Sequence, residues 1–330
     1  MILNYAVCLP VSMIKIGILG AGHLGKIHIS LLKEIKEFKI VGFYDADKEV
    51  SVRVEKELGI KSYPTYEDLS KNCDAIDIVC PTPFHFEYAK NAIKAGKHVF
   101  IEKPVTIHPE ETKILVQLCH EAGIVAQVGH VEQFNPAFLA ARPFINRPLF
   151  ITAERLAIYN PRGTDVSVVL DLMIHDIDLV LSMVKSNVKK IQASGSSIIC
   201  PTADIAHTRI EFDNGTIANL TVSRVALSNK RSLHIFQKES FLNIDLLNKT
   251  LTKAEIKKNY IPKKTEDIIA LRDDTSIIKE NIDVKPVNAI KYELQLFAEA
   301  IQNKTKSVIT LADAYLTMQT TQQITDAIGS

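Results

Sequence analysis

The 330-residue sequence predicts an α/β protein, in which an N-terminal doubly wound parallel sheet precedes an α+β domain with a large open, mostly antiparallel sheet. From residue 14 to residue 128, short apolar runs alternate with amphipathic helical patterns, as in βαβ units. The first run leads directly into a glycine-rich turn, and past Gly129 several β-like runs follow one another. Because this length exceeds one ordinary core, we expect two domains, over residues 13–129 and 130–330.

The first half repeats a pattern of strand, turn and helix. Its predicted strands cover residues 14–19, 39–44, 74–80, 97–101 and 124–128, with a short strand near Ser62 and Tyr63. Its predicted helices cover about residues 26–36, 48–58, 84–95 and 109–122. Since each helix can cross over between neighbouring strands, we expect the strands to be parallel.

The second half is dominated by strands of alternating hydrophobicity, and Asn214-Gly215 predicts a hairpin turn between two of them. Predicted helices cover residues 136–141 and 166–184, and predicted strands cover 149–157, 188–194, 204–212, 216–225, 232–237 and 241–246. Residues 248–285 are rich in lysine and acidic residues, which predicts a weak edge strand and a mobile excursion. Two amphipathic helices, over about 287–302 and 311–328, follow. A second copy of the chain would cover the open sheet, so a homo-oligomer, a dimer or tetramer, is expected.

Composition excludes several classes of partner. A net charge of +1 and a pI near 7.7 give no electrostatic case for binding nucleic acid or an anionic membrane, and no apolar run has the length of a membrane span. The 5 cysteines are scattered without C-x-x-C spacing, which favours reduced thiols and a cytoplasmic protein. Residues 1–12 lack the basic start of a signal peptide, and Met13 directly precedes the first strand, so we interpret them as an extension without function.

The glycine-rich turn predicts a dinucleotide site. Gly20 allows the tight turn, Gly22 lets the backbone approach a pyrophosphate, and Gly25 permits close packing of helix on strand. The start of the following helix, with His23 and Leu24, offers free N–H groups to the phosphates. Asp45, at the end of the second strand, would accept the ribose hydroxyls and repel a 2′-phosphate, which predicts NAD rather than NADP.

Further side chains are expected at the same edge of the sheet, where parallel strands end and ligands bind. Cys80 ends the third long strand and is followed by Pro81–His85, while Glu102–Pro104 follows the next strand. Lys103 would bring an ammonium group there, able to stabilise a developing alkoxide.

An acid–base pair is predicted on the helix over residues 166–184. Asp171 and His175 are four residues apart, a spacing that stacks both side chains on one helical face. A carboxylate that orients an imidazole suits the oxidation of a hydroxyl, because the imidazole can take the proton. The alternative is that His175 is held by a buried hydrogen bond in the core. A metal bound with Asp176 and Asp178 is not favoured, because zinc-dehydrogenase signatures and cysteine ligands are missing, and we predict no metal.

Together these motifs resemble the Gfo/Idh/MocA oxidoreductase family, over nearly the whole chain from Met13 on. The motifs are Gly20-x-Gly22-x-x-Gly25, Pro81-Thr82-Pro83-Phe84-His85, Glu102-Lys103-Pro104, Asn135-Pro136 and Asp171-x-x-x-His175-x-x-Asp178. The resemblance implies a Rossmann domain and then a sheet domain used for oligomerisation, with the C-terminal helices (about 287–328) packing back toward the first domain. It also implies that Lys103 is the active-site lysine and that Asp171 and His175 form the catalytic dyad.

The same resemblance assigns cofactor contacts. Thr82, Pro83 and His85 match the segment that lines the cofactor, and Glu102 and Lys103 match positions beside the nicotinamide ribose. The complete set of predicted cofactor contacts is Gly20, Gly22, His23, Leu24, Gly25, Asp45, Cys80, Pro81, Thr82, Pro83, His85, Glu102 and Lys103.

Residues 129–136, 160–165 and 172–178 are most similar to the sugar-nucleotide branch of the family, which implies oxidation of a UDP-linked N-acetylhexosamine at C3. Arg155 and Arg162 could each grip a diphosphate, with a surface ion pair as the equal alternative. The predicted substrate contacts are His130, Glu132, Asn135, Arg155, Arg162 and His175. His130, Glu132 or Asn135 could instead cap the helix at Pro136. Two other functions stay open, a dehydrogenase of a free sugar or polyol and a dinucleotide-binding sensor without turnover.

Overall fold

The computed structural model describes residues 13–161, 166–259, 267–270 and 275–329, and the side chains of 267, 268 and 270 are not described. The chain folds into two compact units. The first comprises Met1–Gly129 and Ile290–Leu311, and the second comprises His130–Ala289 and Ala312–Ser330. No helix among the described residues is long and apolar enough to cross a membrane.

Among its described residues the first unit contains a parallel sheet of 5 strands, as the alternation of strands and helices predicts, and the strand order is β2-β1-β3-β4-β5. The strands are β1 (Ile14–Leu19), β2 (Phe38–Tyr44), β3 (Ala75–Ile78), β4 (His98–Glu102) and β5 (Ala126–Gly129). Near the predicted short strand, Ser62 forms only an isolated parallel bridge to Phe43 beside β2.

Helices surround this sheet. They are α1 (His23–Leu32), α2 (Lys48–Leu58), α3 (Tyr66–Ser70), α4 (His85–Lys94) and α5 (Pro109–Ala122). α2 begins where the side chain of Asp47 accepts hydrogen bonds from the N–H groups of Glu49 and Val50, and it ends at Gly59 in the left-handed conformation. The apolar face of α1 packs on β1 and β2 in one core, which also includes Phe297.

The second unit is built on a sheet with 9 strands among the described residues, in the order β13-β14-β12-β11-β10-β6-β9-β8-β7. Its described pairs are antiparallel except for β6 with β9. The strands are β6 (Phe150–Leu156), β7 (Val188–Ser196), β8 (Ile205–Phe212), β9 (Ile217–Ser223), β10 (Lys230–Phe236), β11 (Ser240–Asp245), β12 (Thr250–Lys258), β13 (Asp267–Ala270) and β14 (Thr275–Ile282).

The region between residues 248 and 285 differs from its prediction. Instead of one weak edge strand and a mobile excursion, β12 and β14 pair over 8 residues of each strand, and β13 pairs with β14. Leu251 and Ile278 are buried there, so a few apolar anchors among many charges suffice to extend the sheet. The remaining residues of this region, 260–266 and 271–274, lie outside the described part of the chain.

Helices cover one face of this sheet. They are α6 (Pro136–Ala141) and α7 (Ile174–Met183), the latter preceded by a π-helical segment over Val169–Met173. Of the two C-terminal helices predicted to pack toward the first domain, α8 (Ala289–Asn303) contributes Phe297 to the core of the first unit. α9 (Leu311–Gly329) instead contributes Ile324 to the core of the second unit.

Candidate functional site

The glycine-rich turn has the close approaches that the motif predicts. Gly20 has a φ of +92°, and a Cβ there would lie 2.7 Å from the backbone of Cys80. A Cβ on Gly25 would lie 2.1 Å from the carbonyl oxygen of Gly20. By contrast, a Cβ on Gly22 would meet no atom within 4 Å. The two outer glycines are therefore required by the protein's own packing, and the middle glycine leaves its backbone open.

The beginning of α1 fits a dinucleotide. Gly22 provides no side-chain cap, and the first bond of the helix runs from the N–H of Lys26 to the carbonyl of Gly22. The N–H groups of His23 and Leu24 therefore precede the first intrahelical donor, and they lie where a helix attracts phosphate. Open backbone at Gly22 and a helix start without a side-chain cap suit the pyrophosphate of NAD.

Asp45 stands beside this turn, half-buried at the end of β2. Its Oδ2 accepts a hydrogen bond from the N–H of Ala21 at 2.7 Å, and its Oδ1 accepts one from the N–H of Asp47 at 2.9 Å. Because an ionised carboxylate has about four lone-pair sites, these two bonds leave capacity for ribose hydroxyls. The contacts also show that Asp45 fixes the glycine-rich turn, a role that sequence reasoning missed.

The segment after β3 divides into exposed and buried parts. Thr82 and Pro83 lie in a 3₁₀ turn, with Thr82 half-buried and Pro83 exposed. His85 is instead 1% exposed, and its ring nitrogens lie 2.7 Å from the carbonyl oxygen of Cys80 and 3.0 Å from that of Pro104. Burial lowers the pKa of His85 and raises that of the Cys80 thiol to about 12. The imidazole thus connects two of the predicted cofactor segments from within the protein.

The Glu102-Lys103-Pro104 motif follows β4, as predicted. Lys103 is half-buried, whereas Glu102 is 9% exposed. The Oε2 atom of Glu102 accepts a hydrogen bond from the backbone N–H of Lys103 at 3.1 Å. Its Oε1 lies 3.4 Å from Nε2 of His28, whose Nδ1 lies 3.0 Å from Oδ2 of Asp77. Sequence reasoning placed Glu102 beside the cofactor ribose and missed this buried ion cluster beneath it.

The predicted acid–base pair lies where the helix is irregular. Asp171 is in the π-helical segment and His175 is in the first turn of α7, and both are half-buried. The N–H of Ile174 reaches back five residues to the carbonyl of Val169. The expectation of a regular α-helix from 166 to 184 is therefore wrong, because one wider turn changes the direction of Asp171 relative to His175. Such π turns occur often at functional sites.

Arg155 is one of the two arginines predicted to bind a diphosphate. In the structure it binds carboxylates of the second unit instead. Its guanidinium donates to both carboxylate oxygens of Asp176, at 2.9 and 2.8 Å, and to Oε1 of Glu132 at 2.9 Å. The residue is only 3% exposed. Burial opposes its charge, but the two carboxylates overcome this and raise its pKa. This geometry does not fit the predicted contact with substrate, because its donors are paired and shielded from solvent.

Other predicted sugar contacts are also buried in the second unit. Asn135 caps α6 by accepting from the N–H of Ala137 at 3.0 Å, and it donates to the carbonyl of Leu246 at 2.9 Å. This matches the capping alternative rather than the sugar contact. His130 is 1% exposed, and its Nδ1 lies 3.9 Å from Oδ1 of Asp178. Burial raises the pKa of Asp178 to about 8, although Gln133 donates to its carboxylate.

Arg231 is a functional candidate that the sequence did not reveal. Its Nη1 lies 3.3 Å from Oε1 of Glu132, the same oxygen that Arg155 binds, and its side chain is 47% exposed. In the sheet register Arg231 on β10 stands opposite Arg155 on β6. The pairing of β10 with β6 would have identified Arg231 as a candidate, but this pairing was not known from the sequence. Arg162 lies outside the described residues.

No group of three or more His, Cys, Asp or Glu side chains within the described ranges could hold a metal ion. Asp176, Asp178 and His175 are close in the sequence but have different environments. Asp176 is paired with Arg155, and Asp178 accepts from Gln133. Both carboxylates are therefore occupied by protein partners.

Comparison with known proteins agrees with this geometry. Residues 14–130 match a model described as an oxidoreductase family with an NAD-binding Rossmann fold, and residues 127–240 match the Gfo/Idh/MocA C-terminal domain. The chain is 33% identical, over 87% of its length and 88% of the relative, to a UDP-N-acetylglucosamine 3-dehydrogenase of Acidithiobacillus ferrooxidans. It is 26% identical to a scyllo-inositol 2-dehydrogenase (NAD(+)) of Bacillus subtilis, over 93% and 91% of the two chains.

Solved structures give the same result. The structure of the UDP-N-acetylglucosamine 3-dehydrogenase GnnA from Acidithiobacillus ferrooxidans is similar to this chain with a TM-score of 0.88 and 30% identity, over 96% of this chain and 98% of that one. The predicted family, the two-part fold and the cofactor NAD are thereby confirmed. The chain belongs to the Gfo/Idh/MocA family of NAD-dependent oxidoreductases.

Proposed function

We propose that this dehydrogenase oxidises a secondary hydroxyl of a nucleotide sugar, at C3 of a UDP-linked N-acetylhexosamine. The observation that carries the proposal is the 33% identity to a UDP-N-acetylglucosamine 3-dehydrogenase over 87% of the chain, which extends far beyond the NAD-binding half. The solved structure of GnnA has the same activity in its name, and the similarity to it covers 96% of the chain.

The residue roles follow from the chemistry of hydroxyl oxidation. NAD, when bound, accepts the hydride equivalent from the substrate carbon. His175 takes the hydroxyl proton, because an imidazole has a pKa suited to proton transfer near neutrality. Asp171 orients that imidazole and stabilises its protonated form. The ammonium of Lys103 stabilises negative charge on the substrate oxygen. These three side chains argue against a binding sensor, which would have no use for a base.

The cofactor is held by the elements described for the first unit. Gly22 and the start of α1 receive the pyrophosphate, and the carboxylate of Asp45 accepts the ribose hydroxyls. Thr82 and Pro83 line the cofactor from the segment after β3. His85 and Glu102 act behind this surface, since both are buried.

An anionic substrate needs a cationic partner, and the described part of the second unit offers Arg231 for it. Arg231 keeps about half of its side chain exposed and makes its ion pair through Nη1, so its other N–H groups can reach a phosphate. Arg162, outside the described residues, stays a second predicted contact. Arg155 contributes indirectly, because it joins Glu132 to Asp176, the neighbour of His175.

Initial rates of NADH formation test the proposal. We expect turnover of UDP-N-acetylglucosamine and much slower turnover of myo-inositol and glucose. Arg231→Ala should raise KM for the nucleotide sugar by at least about tenfold, because a hydrogen bond to a charged group contributes roughly 1.5–3 kcal/mol. Arg209→Ala removes another partly exposed arginine of the same sheet and should leave KM unchanged. No activity on any nucleotide sugar would refute the proposed substrate.

A free polyol is the second candidate substrate. It is favoured by the similarity to a scyllo-inositol 2-dehydrogenase, which covers 93% of the chain. Under this alternative, myo-inositol or scyllo-inositol would be the faster substrate in the same assay. Arg231→Ala would then change KM little, since an inositol carries no phosphate.

Homo-oligomerisation through the second sheet is also a proposal. On the face opposite the helices, Phe236 is 41% exposed and stacks on Phe241 with ring centroids 4.7 Å apart. Phe150 packs edge-on against Phe236. An apolar group on an open sheet suits contact with a second copy, and sedimentation velocity of Phe236→Ser beside the parent protein tests it.

A further inference from the structure

A buried ion cluster lies in the first unit and has no part in the proposed chemistry. His28, on α1, is 0% exposed, and Asp77, on β3, is 0% exposed as well. The ring of His28 stands between two carboxylates, with Nδ1 3.0 Å from Asp77 and Nε2 3.4 Å from Glu102. Burial of charges is costly unless they are paired, so this arrangement requires a reason.

Glu102 connects the cluster to the lysine of the motif. One of its oxygens faces His28, and the other accepts from the backbone N–H of Lys103 at 3.1 Å. The carboxylate also packs closely on Gly129, where a Cβ would lie 2.7 Å from Oε1 of Glu102. Glu102 thus has a hydrogen bond to the backbone of Lys103 and close neighbours in His28 and Gly129.

The other side of Lys103 is held as well. The carbonyl of Pro104 lies 3.0 Å from Nδ1 of the buried His85, whose second nitrogen faces the carbonyl of Cys80 at 2.7 Å. The residues on both sides of Lys103 are therefore attached to the interior of the first unit.

We propose that His28 is a positioning residue for Lys103, acting through Glu102. The imidazole holds Oε1 of Glu102, so that Oε2 stays directed at the N–H of Lys103 and the backbone of the lysine is kept in one place. The inference deepens the proposed function, because it assumes that Lys103 serves the hydroxyl oxidation. A catalytic group must be held within about 0.5 Å of its productive position, and support from buried neighbours provides this.

Electrostatics agree with this geometry. Burial alone would lower the pKa of His28, but the charge and hydrogen bond of Asp77 and then the contacts of Glu102 raise it to about 10. This raised pKa favours the imidazolium form at neutral pH, and the proposed bridge between two carboxylates requires that form, with an N–H donor on each nitrogen.

Two substitutions separate positioning from packing. In His28→Gln the amide nitrogen occupies about the place of Nε2 and keeps a donor for Glu102. In His28→Asn it occupies about the place of Nδ1 and keeps a donor for Asp77 only. We expect both variants to lose stability, whereas kcat falls about a hundredfold in His28→Asn and is largely retained in His28→Gln. KM and the Kd for NADH should stay near their wild-type values in both.

His98→Asn is the matched control, because His98 begins the strand that Glu102 ends and its Nδ1 accepts from the N–H of Val125 at 2.9 Å. It should cost stability and leave kcat unchanged. Glu102→Gln tests the contact between His28 and Glu102 from the other residue, and it replaces His28→Asn if that variant does not fold. Its kcat should fall about as much as we expect for His28→Asn. In the double variant, His28→Asn with Glu102→Gln, kcat should fall no further than in either single variant. Equal kcat in all three histidine variants, or losses that multiply in the double variant, would overturn the proposal.

A spectroscopic measurement keeps this test apart from that of the proposed function. The imidazole ¹⁵N shifts of His28, assigned by comparison with His28→Gln, should show a doubly protonated ring at pH 8 without any substrate. A neutral ring at that pH would refute the bridge, whatever the enzyme oxidises. If the wild-type protein oxidised no sugar or polyol while the ring was charged, the proposed function would fail and the bridge would stand.

Discussion

Both units of the protein bury one cation between two carboxylates, next to a residue with a proposed catalytic role. In the first unit His28 lies between Asp77 and Glu102, and Lys103 follows directly. In the second unit Arg155 lies between Asp176 and Glu132, and His175 precedes Asp176. Each cluster has a formal charge of −1 when all members are ionised.

The two clusters differ in the cation, and the difference teaches what each can do. A guanidinium stays charged throughout the physiological range and offers a rigid fork, which Asp176 accepts with two bonds of 2.9 and 2.8 Å. An imidazolium can lose its proton, and the 3.4 Å contact of His28 with Glu102 is looser. The arginine cluster therefore suits permanent structure. The histidine cluster suits adjustable support of a neighbouring group.

The largest expected effect is a loss of kcat on replacing Lys103, the residue that the first cluster is proposed to position. Lys103→Ala should lower kcat by about 10³-fold, roughly 4 kcal/mol, because positive charge at the substrate oxygen is lost. NAD affinity should stay nearly intact, as measured by NADH fluorescence titration. Lys97→Ala, which removes a lysine bonded to the carbonyl of Cys73 in the same unit, is the control for kcat. Similar kcat in Lys103→Ala and the parent would contradict the assigned role.

The next expected effect is a loss of stability when the second cluster loses its arginine. Arg155→Met should lower the free energy of unfolding by about 3–5 kcal/mol, because two buried carboxylates lose their cation. Arg209→Met removes an arginine paired with Glu211 at about one-third exposure and should cost less than about 1 kcal/mol. Urea denaturation followed by circular dichroism measures both. Equal losses would mean that Arg155 is not a buried structural cation.

The pH dependence of stability distinguishes the two clusters directly. The pKa of His28 is raised from 6.5 to about 10, so its stabilisation is complete below pH 6.5 and is lost as pH rises toward 10. The difference in unfolding free energy between the parent and His28→Gln should therefore shrink by at least about 2 kcal/mol between pH 7 and pH 10. The difference between the parent and Arg155→Met should stay nearly constant, because the guanidinium does not titrate there. A constant difference for His28→Gln would contradict a charged ring.

The sequence predicted features that depend on short stretches of chain. The glycine spacing from Gly20 to Gly25 sets local backbone geometry, and the alternation of strands and helices indicates that the strands of the first sheet are parallel. The burial of Arg155 was not predicted, because a diphosphate contact and a surface ion pair were the two alternatives drawn from the sequence. In the structure Arg155 is 3% exposed and lies on the same face of β6 as the buried Ile151 and Ala153.

Features that depend on distant partners were not predictable. Arg155 reaches Asp176 and Glu132, which are 21 and 23 residues away, and only the folded sheet brings Arg231 beside them. The partner of Asp77 is 49 residues away on α1. A charged residue within an apolar pattern indicates that a buried partner is present, because a buried charge must be paired. The pattern does not indicate which residue that partner is. Nothing in the sequence indicated the π turn at Asp171.

The smallest expected effect concerns the carboxylate of Asp45, which accepts hydrogen bonds from two backbone N–H groups. Asp45 accepts from the N–H groups of Ala21 and Asp47 and is half-buried at the glycine-rich turn. Asp45→Ala should weaken NADH binding about tenfold more than NADPH binding, roughly 1.4 kcal/mol, because it removes a ribose acceptor and also the repulsion of a 2′-phosphate.

Asp45→Asn separates these two causes, because its amide oxygen can still accept from Ala21 while the charge is gone. If the turn alone determined affinity, Asp45→Asn would bind both cofactors like the parent. If charge determines selectivity, it should gain affinity for NADPH relative to NADH, as Asp45→Ala does. Fluorescence titrations of both variants with both cofactors decide between these outcomes. Equal losses for NADH and NADPH in Asp45→Ala would remove the ribose assignment and leave Asp45 a purely structural carboxylate, like Asp77.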